Sequence, residues 1–174
     1  MKFILSEAIK ILSRTPDVLF TLLKDLDDDW IFNNEGPQTW SPFDVVGHLI
    51  HGEKTDWMVR VKIIMSDNTD KSFYPFDRFA QFEESKGKTL DELLNQFKDL
   101  RRKNLEILMA LSISDQDLEK TGIHPEFGTV SLKQLLATWV VHDLSHIGQV
   151  SRVMCKNYQE AVGPWSKYLK VFQS

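Results

Sequence analysis

The chain has 174 residues, of which 42% are hydrophobic and 26% charged, with a formal net charge of -4. That is the composition of a soluble globular protein with enough length for one substantial core, so residues 1–174 are read as a single domain. The longest basic cluster is Arg101-Arg102-Lys103, which excludes the clustered positive face of a nucleic-acid binder. One cysteine, Cys155, excludes an internal disulfide framework, and no apolar run approaches the roughly 20 residues that cross a bilayer. Glu7 interrupts the N-terminal apolar stretch before it reaches the length of a signal sequence, so the expected location is cytoplasmic.

Helix signals dominate in chain order. Residues 6–26 are periodic with a break at Thr15-Pro16, where Thr15 can cap and Pro16 can open a new helix. Ser41-Pro42-Phe43-Asp44 opens a second helix predicted to reach about residue 66. Residues 67–88 read as a long connection with a short helix near 78–84. Thr89-Leu-Asp-Glu92 is a capping box that starts a third helix ending near residue 112. Residues 121–129 read as irregular, punctuated by Pro125 and Gly128. Ser131-Leu-Lys-Gln134 is another capping box, starting a fourth helix to about residue 156, and a break at Gly163-Pro164 precedes a short apolar C-terminal helix. The expected class is all-α, a four-helix bundle with a long irregular connection.

His142-Asp-Leu-Ser-His146 places two imidazoles about 40° apart on one helical face. Leu132, Leu135, Trp139, Val150 and Val153 fall on the same stripe, so both rings point into the bundle. Buried imidazoles need partners for their nitrogens. Two readings stand at this point: hydrogen-bonded core histidines, or ligands of one metal ion completed by His48 on the second helix. Gln149 lies on the same side and suits an outer-shell amide or a solvent-facing flank; Asp44, one turn before His48, could accept from its ring or serve only the helix start. His51 sits on a more polar edge, and His124 precedes Pro125 in an expected exposed loop. Asp143 is rotated away from the pair and could meet a base on another helix. Glu53 and Asp56 are candidate bases near the site, but spacing singles out no catalytic residue. Cys155 is expected to face away from the site as inert packing. Val46, Ile50, Trp57, Val61 and Ile64 form a second apolar face on the second helix, which suggests a homodimer.

Three segments resemble one known family. Trp40-Ser41-Pro42 with Gly47-His48-Leu-Ile-His51-Gly52-Glu53 and Asp56-Trp57, then Phe127-Gly128, then Trp139-Val-Val-His142-Asp143-Leu-Ser-His146-Ile-Gly-Gln149, are similar to the DinB-like (YfiT/DinB) superfamily, over about residues 19–169. The resemblance implies an up-down-down-up four-helix bundle, commonly dimeric. It implies a divalent transition metal, zinc or nickel, held at the positions of His48, His142 and His146. It also implies a small-molecule substrate, including low-molecular-weight thiols, with thiol S-transferase or hydrolase chemistry. A non-catalytic, stress-associated metal-binding dimer is the alternative. Neither a nucleic-acid partner nor a membrane association is expected.

Overall fold

Capping boxes at Ser41, Thr89 and Ser131 start the three longest helical segments, each with the side-chain oxygen accepting from the third helical residue's N–H. In this computed structural model, which describes residues 2–173, the elements run as follows. Helices α1 (Leu5–Leu12), α2 (Thr15–Leu23) and α3 (Asp28–Phe32) are followed by α4 (Pro42–Thr55), α5 (Trp57–Met65), α6 (Ala80–Glu84) and α7 (Leu90–Ala110). Strands β1 (Thr121–His124) and β2 (Gly128–Ser131) then precede α8 (Leu132–Lys156).

Two buried clusters reveal the topology. One joins Leu12, Val61, Ile64, Leu105, Leu108, Leu132 and Leu136. The other joins Leu19, Leu23, Val45, Val46, Leu93, Leu94 and Val150. The α1–α2 and α8 rods therefore run from the first cluster to the second, while α4–α5 and α7 run from the second to the first. This is the up-down-down-up bundle. Parallel neighbours α4–α5 and α7 require residues 66–89 to travel the length of the bundle, and that crossover passes over one of its faces.

Several sequence expectations give way to tertiary detail. The second helix is interrupted at Asp56 (φ -115°, ψ -76°), between Gly52, over which the Trp57 indole lies, and Arg60. Thr55 donates its hydroxyl to the His51 carbonyl (2.8 Å), a contact that bends helices. Thr15 lies inside α2 rather than capping it, with Pro16 in the first turn. Residues 121–129 are not irregular. They form an antiparallel hairpin with Thr121 opposite Ser131 and His124 opposite Gly128, closed at Gly128 (φ +68°). Ile123 accepts from the Phe73 N–H (2.9 Å), pinning the crossover to the hairpin. A Cβ on Gly122 would lie 2.5 Å from the Phe73 ring, so glycine there admits that ring to the core. The apolar tail forms 3-10 turns at Gly163–Tyr168 and Lys170–Phe172 rather than an α-helix, and buries no residue. Cys155 is exposed rather than packed.

The face offered above as a dimer contact is covered within the chain: Val46, Ile50, Trp57, Val61 and Ile64 are all buried. The second helix is apolar on two sides because its own bundle surrounds it. No helix among the described residues is long and apolar enough to cross a membrane.

Candidate metal centre

His48 leaves α4 two turns after its N-cap, and His142 and His146 leave α8 one turn apart. Because α4 and α8 run antiparallel, the three rings meet midway along the bundle. His142 Nε2 lies 3.1 Å from His48 Nε2 and 3.1 Å from His146 Nε2. One ligand atom from each of the three residues lies within 4.8 Å of the others. Zinc–imidazole bonds of about 2.0–2.1 Å in tetrahedral geometry separate neighbouring nitrogens by roughly 3.3 Å, so the spacing matches a shared cation.

Hydrogen bonding does not account for the cluster. Gln149 Oε1 accepts from Nδ1 of His146 at 2.8 Å, so the His146 proton sits there and its Nε2 presents a bare lone pair to His142. His48 Nδ1 and His142 Nδ1 are buried with no partner among the described residues. Burying His48 and half-burying His142 and His146, with two orphaned ring nitrogens, is costly unless the convergent Nε2 atoms gain something in common. A cation fits that requirement, and three imidazoles leave it open coordination positions. Burial, reinforced by the neighbouring histidines, lowers the His48 pKa to about 3. Burial and His142 lower that of His146 to about 4, against the pull of Gln149 and Asp143. Both rings are therefore neutral and able to ligate at pH 7.

The residues around the site sort differently from their sequence reading. Asp44 does not reach His48: its Oδ2 accepts from Ser41 N (2.9 Å) and Ser41 Oγ (2.7 Å) as the capping box. His51 turns away and pairs with Glu84 at 2.7 Å. Glu53 is no base for the site. With Asp143 it grips the buried Arg101, which donates to Glu53 Oε1 (2.8 and 2.9 Å), to Asp143 Oδ2 (2.5 Å) and to the Leu12 carbonyl (2.8 Å). Asn104 and Trp139 complete the donors to Glu53. Asp143 thus meets a base on another helix, and that base comes from the middle of α7 rather than from the site. Asp56 does line the site cavity, ion-paired to Arg60 at 2.5 Å. Its carboxyl is pushed up by burial, against the opposing pull of Arg60.

The histidines lie in the wall of a cavity of about 510 Å³. Trp40 stacks on His146 (ring centroids 6.1 Å) and lies tilted against His48 (4.7 Å), and Phe76 from the crossover stands edge-on to His48 at 5.5 Å. Arg60, Arg78, His124 and Phe127 form much of the remaining wall. His124 was expected to be exposed in a loop; it ends β1, half-buried, at this wall. The alternation of Thr121-Gly-Ile-His124 before Gly128-Thr-Val-Ser131 is the sequence signal that could have revealed the hairpin carrying it.

The profile of the DinB superfamily matches residues 11–150, which include all three histidines. The chain belongs to this superfamily. Among its relatives, a candidate metal-dependent hydrolase of Bacillus cereus is 25% identical over 137 residues, covering 78% of this chain and 77% of that protein. Another from Bacillus mycoides is 25% identical over 149 residues, covering 85% and 84%. YfiT from Bacillus subtilis, described as a candidate metal-dependent hydrolase with an unusual four-helix bundle topology, superposes with a TM-score of 0.74 at 18% identity. That alignment covers 88% of this chain and 86% of YfiT, and it establishes the DinB bundle as the common fold.

Proposed function

We propose that this DinB-superfamily protein is a metal-dependent hydrolase in which His48, His142 and His146 hold one divalent transition ion. Zinc and nickel both suit an all-imidazole donor set. The carrying observation is the convergence of three Nε2 atoms on one point in the wall of a cavity large enough for a small molecule. Hydrolase names among the relatives support the same reading.

Such an ion, when bound, supplies Lewis acidity for polarising a carbonyl or activating a nucleophile. The chain's own residues do the rest. Gln149 fixes the His146 ring by accepting from Nδ1. Trp40 and Phe76 cover the histidines and limit water access. Asp56 offers a carboxylate oxygen in the cavity wall that can take up a proton, and its burial raises its basicity towards that role.

The test is an assay of the zinc- or nickel-loaded chain against ester, amide and phosphoester substrates, beside a thiol-plus-electrophile pair. Hydrolysis that disappears on chelation and in His142→Ala is the expected result. Turnover only in the thiol arm would replace hydrolysis with S-transfer. A metal whose removal lowers the melting temperature, with no turnover in any arm, would make the site a structural pin between α4 and α8.

A further inference from the structure

The cavity wall also carries two nitrogen-donor side chains, Arg60 and His124, both packed on the buried Phe73 ring. Arg60 is only 8% exposed, yet lines the cavity. Its Nε side faces Asp56 at 2.5 Å, and its guanidinium lies over the Phe73 ring at 5.2 Å. Among the described residues no group accepts from its two Nη nitrogens, which leaves up to four N–H donors for the cavity. The Asp56 pair and the aromatic face hold the planar fork in one orientation, which suits bidentate capture of a carboxylate.

His124 stands against the same Phe73 ring, edge-on at 6.3 Å, and is flanked by Phe127 at 4.5 Å. Its Nδ1 accepts from the backbone N–H groups of Glu126 (3.1 Å) and Phe127 (3.3 Å). A ring nitrogen that accepts twice is unprotonated, so the proton sits on Nε2. The hairpin loop thereby fixes His124 as a neutral N–H donor at the cavity wall. Much of the remaining wall is apolar and aromatic: Trp40 beside the histidines, Phe127 beside His124, and Trp57, Pro75 and Phe76. The other charged groups, Arg78 and Glu126, are exposed at the rim and oppose each other in sign.

We propose that Arg60 and His124 form a carboxylate-binding subsite that selects small acids with an aromatic or apolar body, the body lying along Trp40, Phe76 and Phe127 while the reacting bond reaches the histidines. This rests on the reading of the cavity as the substrate site. The pair of donors supplies what three metal-holding imidazoles cannot, namely N–H groups free to recognise a substrate's own negative charge.

Binding of phenylacetate and of its neutral counterpart phenylacetamide to the full chain tests the subsite by calorimetry, on protein as purified and after dialysis against a chelator. The acid should bind about tenfold or more tightly than the amide in both preparations, the scale of a charge-assisted hydrogen-bonded pair. Asp56→Asn/Arg60→Gln, which removes the ion pair as a unit, should abolish the preference. His124→Gln, at the cavity rim, should reduce it without touching the buried pair. Equal affinity for acid and amide would overturn the proposal. So would a preference that survives in both variants, or one that vanishes on chelation, since the metal would then be the acid's partner. A preference retained without metal supports the subsite even if the hydrolase assay fails.

Discussion

His48 and His142, separated by 94 residues in the chain, bring their Nε2 atoms to 3.1 Å, with His142 equally close to His146. The contact depends on the crossing of α4 and α8 at mid-bundle, and that crossing is held from behind by Arg101. Glu53 of α4 and Asp143 of α8 both close on this one guanidinium of α7, Glu53 lying about one and a half turns after His48 and Asp143 directly following His142. The three-histidine cluster and the buried ion cluster are back-to-back layers of one crossing.

Arg101→Met is therefore expected to destabilise the chain strongly. Two buried carboxylates would lose their cation, a loss that typically costs about 3–5 kcal/mol. Burial opposes the Arg101 charge, but Asp143 and Glu53 outweigh it and raise its pKa, so the cation persists throughout the accessible pH range. Urea denaturation measures the effect. A variant within about 1 kcal/mol of wild type would show that α4 and α8 are held together by apolar packing alone.

Much of the bundle was legible before any coordinates. Capping boxes at Thr89 and Ser131 and the Ser41-Pro42 start are local signals, and α7 and α8 begin where those signals place them. The i,i+4 spacing of His142 and His146 required only helical geometry. What was hidden is what depends on distant partners. Asp44 could be read towards His48 or towards its own helix start, and the local capping box takes it. Glu53 looked available as a base because nothing in sequence links it to Arg101, 48 residues away. The hairpin that carries His124 has only four residues per strand and is stabilised by docking Phe73 against Gly122, a contact invisible to any local pattern. The apparent dimer face on the second helix was intramolecular core, because periodicity reports burial without naming what buries it.

Gln149→Ala should loosen the metal without unfolding the bundle. Gln149 accepts from the outward ring nitrogen of one of the three histidines, holding His146 Nδ1 at 2.8 Å. Loss of such a partner typically weakens metal affinity about 10–100-fold. Competition against a chromophoric chelator measures the change. An unchanged affinity would mean that Trp40 stacking alone orients the ring.

The metal-free chain should lose stability as pH falls from about 6.5. His48 and His146 titrate at 6.5 in the unfolded chain and at about 3 and about 4 when folded. Below pH 6.5 the unfolded chain takes up protons that the folded chain refuses, so the contribution present at neutral pH shrinks until the folded rings protonate. The slope is about 1.4 kcal/mol per pH unit for each fully protonating ring. Thermal melts of chelated protein between pH 7.5 and 4, set against His48→Gln/His146→Gln, isolate this term. The double variant should show a markedly shallower decline, and parallel curves would contradict the lowered basicity of both rings.

Elemental analysis of the untagged protein tests the shared cation most directly. Wild-type chain purified without chelators, or reloaded with zinc or nickel, should carry about one ion per chain, and His142→Ala, which removes the imidazole common to both 3.1 Å contacts, should carry essentially none while keeping its helical circular dichroism. A wild-type chain that takes up neither metal, or a His142→Ala variant that holds as much as wild type, would contradict the three-histidine centre.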